Sequence, residues 1–174
     1  IAASHWWPIQ ELRSLQQRVN AGERVPAAWF VNPVKIACLL RVADAAHIDH
    51  RRAPRFLRTL VRPSGASDSH WSFQTKMGKP SRDRSFLVYT GSSPFDVNEV
   101  QAWWLGYDML TSVDNELRAV HGVLDAQREQ HTFAATAVKG ANSPQAVAEL
   151  IETKGWQPVN TELRVSDVPS LVEL

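Results

Sequence analysis

Residues 35–52, KIACLLRVADAAHIDHRR, concentrate side chains that bind cations or anions. Helical spacing would place three of them, Asp44, His47 and Arg51, on one face together with Leu40. The neighbouring stripe is apolar and consists of Ile36, Leu39, Ala43 and Ala46. Asp44 is therefore predicted at the margin of the buried side, where a carboxylate must be paired, hydrogen-bonded or bound to a cation. Two interpretations follow: a structural salt bridge to Arg41 or Arg51, and a metal ligand.

The composition is that of an ordinary globular protein. Of 174 residues, 44% are hydrophobic and 21% are charged, and the formal net charge is +1. These values exclude a disordered chain and give no overall field for nucleic acid or an anionic membrane. Cys38 is the only cysteine, which predicts a buried free thiol and favours a reducing cytoplasm. No apolar run approaches the roughly 20 residues that span a bilayer, so no membrane partner is expected.

Helices are predicted where a start signal precedes apolar residues at helical spacing. Pro8 begins a short helix over residues 8–20. Asn32 as cap and Pro33 at the first position begin the helix that carries Asp44, which is expected to end near residue 49 or 50. A further short helix is predicted over residues 54–60.

The longest predicted helix begins with a capping box formed by Asp96 and Glu99 and runs to about residue 130. Ser143 and Pro144 then open a helix to residue 154. Alternating side chains predict two strands, over residues 70–77 and 84–91, joined as a β-hairpin by a loop over residues 78–83. A short strand over residues 159–165 and a further helix after it complete the prediction.

Aromatic and polar residues on these helices have structural interpretations. Trp103 and Trp104 are predicted to pack in the core, and Trp6 and Trp7 against the Asp44 helix. The last pair is Asp114 and His121, one heptad apart on the stripe of the long helix. They are expected to form a buried hydrogen-bonded pair or to contact another helix.

The segment LLRVADAAHIDHRR, residues 39–52, resembles the last motif of HD-domain metal-dependent phosphohydrolases. In that superfamily the aspartate of this helix is the final metal ligand, and this position corresponds to Asp44. A histidine that some of these families place shortly before the helix corresponds to His5. The resemblance implies that both residues are catalytic and hold a divalent ion (Mn, Mg, Zn or Fe) in the full-length protein. The earlier ligands, a histidine and then a His-Asp dipeptide, are expected upstream, because this chain contains no His-Asp dipeptide.

Arginines and histidines crowd the same region: Arg41, His47, His50, Arg51, Arg52, Arg55, Arg58 and Arg62. In the family interpretation, Arg41, His47, Arg51 and Arg52 hold a nucleotide phosphate beside the metal. A solvated face whose arginines pair with carboxylates is the alternative.

The resemblance extends along the chain. Residues 92–118 and 155–174 are similar to the region that follows the HD domain in large bacterial proteins of conflict and stress systems, where a GHKL-type ATPase comes next. The chain is accordingly expected to be the C-terminal part of an HD module, mainly α-helical with α+β character at the margin. Residues 1–62 would be HD-type helices, 63–92 a β-hairpin insertion, and 93–174 a long helix and connector. The implied partners are the upstream HD segment and the downstream ATPase domain.

Three functions are distinguished. In the first, the module senses or hydrolyses a phosphorylated nucleotide with a metal ion and regulates the ATPase, and the isolated chain is inactive because it lacks most ligands. In the second, the chain is a catalytically silent scaffold whose long helix is a lever or a dimer contact in a homo-oligomer. The third, nucleic-acid binding through the hairpin and the arginines, is disfavoured by the near-zero net charge.

Overall fold

A computed structural model describes residues 6–16, 18–53, 65–129 and 132–159. Its α-helices are α1 (Pro33–Ala46), α2 (Ala66–Lys76), α3 (Val100–Ala126) and α4 (Pro144–Ala148), with 3-10 helices at Ile9–Ser14 and Val97–Glu99. Its strands are β1 (Val19–Asn20), β2 (Phe30–Val31), β3 (Ser81–Asp83), β4 (Phe86–Val88) and β5 (Ala137–Val138). The predicted class, mainly α-helical with some β structure, is confirmed.

The predicted helix starts are confirmed by their caps. The Asn32 side chain accepts a hydrogen bond from the Lys35 backbone at 3.1 Å. Asp96 and Glu99 form the expected capping box, which opens a 3-10 turn that continues into α3. The Ser143 hydroxyl caps α4. Each cap uses partners within three residues, which explains why the sequence predicts it well.

Helix ends agree less well with the sequence. The segment over residues 8–20 forms the 3-10 helix Ile9–Ser14 and then strand β1, rather than one α-helix. Helix α4 ends at Ala148, six residues before its predicted end at 154. The backbone after it pairs with residues 91–95 instead: Gly91 donates to Leu150, Phe95 to Glu152, and Lys154 to Phe95. Long-range backbone bonds have replaced the helical ones.

The predicted strand over residues 70–77 is wrong, because residues 70–76 belong to helix α2 and only Met77 is extended. Phe73, on α2, is fully buried against α3 at Gly106. The hairpin near this position is formed by β3 and β4, so that β3 lies within the predicted loop over residues 78–83. Arg84 turns the chain between these strands with a positive φ of 53°.

Two small sheets are present in the described residues. Strands β1 and β2 pair antiparallel, with Val19 opposite Val31. In the second sheet β4 lies between β3 and β5, antiparallel to the former and parallel to the latter. The structure thus has two antiparallel strand pairs where one hairpin was predicted.

Helix α3 is the centre of the molecule, because both hydrophobic clusters include it. One cluster joins its N-terminal half to α2, β4, β5 and α4, and contains Phe73, Tyr89, Phe95 and Trp103. The Trp103 indole donates to the Ile151 carbonyl at 3.0 Å. The other cluster joins the C-terminal half of α3 to α1 and the first 3-10 helix, through Leu12, Val34, Ala37 and Cys38.

The helix predicted at residues 54–60 and the helix predicted after residue 165 lie outside the described residues, as does all but the first residue of the strand predicted at 159–165. Within the part of the chain that is described, no helix combines the length and the apolar character that crossing a membrane requires.

Candidate functional site at the end of helix α1

Asp44 lies on the solvent side of α1. Its side chain is 65% exposed, and Oδ1 is 3.6 Å from Nη2 of Arg52. The predicted position at the margin of the buried side is therefore wrong. A salt bridge is present, but its partner is Arg52 rather than Arg41 or Arg51.

The burial of α1 explains this difference. The helix buries Val34, Ala37 and Cys38 against α3 and the first 3-10 helix. Of the stripe predicted to be buried, Leu39 and Ala43 are exposed, Leu39 by 53%, and Leu40 on the adjacent face is 41% exposed. Helix α1 thus has two apolar faces, and the described residues cover only one of them.

A buried carboxylate follows the helix end. Asp49 is fully buried, and it accepts hydrogen bonds from the Arg51 backbone at 2.8 Å and from Arg51 Nε at 3.0 and 3.1 Å. Arg51 Nη2 also donates to it, so the guanidinium binds side-on. His47 Nε2 is 3.9 Å from Asp49 Oδ1. The hydrogen bonds from Arg51 lower the pKa of Asp49 from 3.8 to about 2, so it is an anion at neutral pH.

Arg52 and His50 fix the rest of this turn. Arg52 Nη1 donates to the carbonyls of Asp44 and His47, at 3.1 and 3.2 Å, and so satisfies carbonyl groups at the end of α1. The backbone and Nδ1 of His50 both lie 3.3 Å from the Met77 carbonyl oxygen. The turn is therefore joined to the end of α2.

Tyr89 supports the same helix end from the sheet. Its hydroxyl donates to the Ala46 carbonyl at 2.8 Å, and its side chain is buried. Burial, with the charge of Asp49 nearby, raises the pKa of Tyr89 above its ordinary value. Neither Asp49 nor Tyr89 was predicted as a site residue. An acid two residues before an arginine at a helix end is a local signal for Asp49, whereas Tyr89 is 43 residues from its partner and has none.

The four predicted phosphate-binding residues separate into two places. His47, Arg51 and Arg52 lie together around Asp49 and the end of α1. Arg41 points elsewhere: its guanidinium pairs with Glu116 of α3 and donates to the Trp7 carbonyl at 2.7 Å. Of the two tryptophans that were predicted to pack on this helix, Trp6 is 83% exposed, whereas Trp7 is 36% exposed.

A cavity of about 550 Å³ adjoins the turn. His50, Arg51 and Ala53 form one wall, and Thr75, Met77 and Gly78, at the end of α2, form another. Ser92 completes the lining. This volume falls within the range of about 300–1,000 Å³ that small-molecule sites occupy.

No three His, Cys, Asp or Glu side chains come together as a metal site among the residues that the structure describes. Asp44 is there a single exposed carboxylate, and His5 lies outside the described residues.

Asp114 and His121 do not bond to each other. Asp114 is buried and accepts from Arg118 Nε and from the Val138 backbone, each at 2.7 Å. His121 Nε2 is 2.9 Å from the Ala135 carbonyl oxygen. Both residues hold the segment around β5 to α3, which is a structural role.

Comparison with known proteins identifies the family to which the chain belongs. The sequence model of the HD-CE family matches residues 1–119, which include α1, the turn after it and most of α3. Searches of curated proteins and of solved structures gave no significant match. Because the matched region covers more than half of the chain, the protein belongs to the HD-CE family and contains an HD-like domain.

Proposed function

We propose that the chain is part of a cytoplasmic HD-type module that senses or hydrolyses a phosphorylated nucleotide and regulates a downstream GHKL-type ATPase domain. In this proposal the chain is the C-terminal part of the module, and a segment upstream of it supplies the remaining metal ligands. Membership of the HD-CE family supports the HD part of the proposal.

The observation that carries the proposal is the open apolar face of α1. Leu39 and Leu40 are both large and exposed, and Asp44 lies one turn further along the same side. A helix that is apolar on all sides is typical of a position packed on all sides. We therefore assign the upstream HD segment to this face, where its ligands would meet Asp44.

The Asp44 carboxylate is available to a cation, because its ion pair with Arg52 is weak. Its ion pair with Arg52 is long, and both side chains are substantially exposed, so the pair contributes little stability. Carboxylate oxygens are ligands that hard divalent cations favour. The described residues supply this one carboxylate, so a complete site requires His5 or ligands from the upstream segment. A bound divalent ion would polarise a phosphoryl oxygen and lower the pKa of a water molecule.

Basic side chains near Asp44 provide a position for the phosphate. We assign His47 and Arg52 to it, because they lie together near Asp44. We leave out Arg41 and Arg51, because the guanidinium of each is already paired side-on with a carboxylate, that of Glu116 and that of Asp49. The Arg52 side chain is 45% exposed beside the helix end, so an anion can reach it.

The test is metal analysis of the full-length polypeptide by mass spectrometry, together with hydrolysis of phosphoester substrates. We expect Asp44→Ala to lower metal affinity by about tenfold or more and to lower hydrolysis with it. The matched control is Asp125→Ala, which removes an exposed aspartate near the end of α3. If Asp44→Ala keeps its metal and activity, Asp44 is a structural acid, and the catalytically silent helical scaffold becomes the better interpretation.

A further inference from the structure

The cavity beside the turn after α1 has walls unlike those of a phosphate site. Ala53 and Met77 are buried apolar residues that line it. Phosphate sites present several N–H donors to the ligand. This cavity instead offers apolar surface with a few polar groups, the pattern of sites for small organic molecules.

Arg51 lines this cavity, and its positive charge is already paired with the Asp49 carboxylate. Its guanidinium is bound side-on by Asp49, and the side chain is nevertheless 56% exposed. An arginine that is held flat by a carboxylate binds a phosphate less strongly, but its planar face remains able to stack on an aromatic ring. Since Asp49 is fully buried, the plane of this guanidinium is fixed before any ligand arrives.

The polar groups of the lining are mainly acceptors. The Thr75 hydroxyl already donates to the Ser72 carbonyl at 3.0 Å, and the Ser92 hydroxyl to the Lys76 carbonyl at 2.8 Å. Each hydroxyl therefore has only lone pairs left for a ligand. His50 Nδ1 faces the Met77 carbonyl, so the tautomer that donates there has Nε2 as an acceptor.

A planar ring with N–H donors fits the apolar walls, the flat face of the Arg51 guanidinium and the hydrogen-bond acceptors of the cavity. We propose that this cavity binds the base of a nucleotide, and that an exocyclic amino group of the base donates to Thr75 and Ser92. The ring stacks on Arg51 and contacts the Met77 thioether, a favourable partner for aromatic rings. Arg52 follows Arg51 directly and pairs with Asp44, so the phosphates of the same ligand extend towards that acid. The assignment rests on the proposed function and names the part of its ligand that is recognised.

The test measures binding of adenosine, guanosine and cytidine to the chain by isothermal titration calorimetry. We expect at least one of them to bind with a dissociation constant below about 1 mM. Purine riboside, which lacks the amino group, and inorganic phosphate are the comparison probes. Each should bind at least about tenfold more weakly than the best amino nucleoside. If none of the three nucleosides binds, or if purine riboside binds as well as adenosine while adenosine is the best of them, the proposal is wrong.

Substitutions distinguish the proposed base site in the cavity from the proposed metal site at Asp44. Thr75→Val with Ser92→Ala removes both hydroxyl acceptors and should weaken nucleoside binding about tenfold, whereas Ser93→Ala, next to the cavity residue, should not. Circular dichroism confirms that each variant is folded. Asp44→Ala should bind the nucleoside like the unmodified chain. If Asp44→Ala keeps its metal and activity while nucleosides bind, the function at Asp44 is wrong and the base site stands. If Asp44→Ala loses its metal but no nucleoside binds to the unmodified chain, the base site alone is wrong.

Discussion

Phe73 lies directly on the backbone of Gly106, where a Cβ atom would be 2.0 Å from Cε2 of the phenylalanine ring. This contact sets how closely α2 approaches α3. The ring is fully buried at this crossing. The helical backbone on either side of Phe73 holds the ring in this position.

Gly106→Ala should destabilise the protein by about 1–3 kcal/mol, because the added methyl group overlaps the ring and forces the helices apart. The measurement is the free energy of unfolding in urea. Gly122→Ala, on the same helix, is the matched control, because no atom lies within 4 Å of its added Cβ. It should stabilise the protein by about 0.5–1 kcal/mol. Equal effects at the two glycines would contradict the close crossing.

Tyr89→Phe should lower the free energy of unfolding by about 1–2 kcal/mol, because it leaves the Ala46 carbonyl without the 2.8 Å bond to the buried hydroxyl. Tyr107→Phe is the comparison. Its hydroxyl is 3.3 Å from the Ala141 carbonyl oxygen and its side chain is only half-buried, so we expect a loss below about 1 kcal/mol. The order of the two losses checks the prediction, and the reverse order would refute it.

The stability that Asp49 contributes should depend on pH. Its pKa is lowered from 3.8 to about 2 by Arg51, so the folded state favours the anion. The contribution is complete above the unfolded pKa and is lost as the pH falls through the folded pKa. We expect the difference in free energy of unfolding between the unmodified protein and Asp49→Asn to be constant above about pH 5 and to shrink towards pH 2. A difference that stays constant over the whole range would show that Arg51 does not lower this pKa.

Cys38 should react slowly with alkylating reagents. Its side chain is fully buried, and burial raises the pKa of the thiol to about 11, so the reactive thiolate is scarce at pH 8. We expect native protein to react at least about 100-fold more slowly with iodoacetamide than protein unfolded in urea. Comparable rates in the two states would place this cysteine at the surface.

Local signals predicted the parts of the fold that depend on local bonds. The caps at Asn32 and Asp96 have partners within three residues, and both were read correctly. The segment over residues 70–77 was misread because its alternating Trp71, Phe73 and Thr75 fit a strand, whereas the contact of Phe73 with Gly106 favours a helix. Tertiary packing determines that this segment is a helix rather than a strand, and the spacing of residues in the sequence does not indicate that packing.

The candidate site was predicted in part. The sequence singled out the residues after α1, and His47, Arg51 and Arg52 do lie together. It placed Asp44 on the wrong side because α1 is apolar nearly all round, so its periodicity does not distinguish the face that packs on α3 from the open one. The contacts of Met77 and Tyr89 with this turn join distant segments and had no signal in the sequence.

The bond from Asp114 to the Val138 backbone has a consequence for the sheet. Strand β5 has only two residues, and two backbone bonds hold its segment beside β4, from Thr136 to Ser85 and from Lys139 to Leu87. The long helix adds a further constraint, because the Asp114 carboxylate accepts a hydrogen bond from the Val138 amide of the strand. A rotation of α3 by a single residue would break this bond and leave the Val138 amide without its carboxylate, so a movement of the helix is coupled to the edge of the sheet.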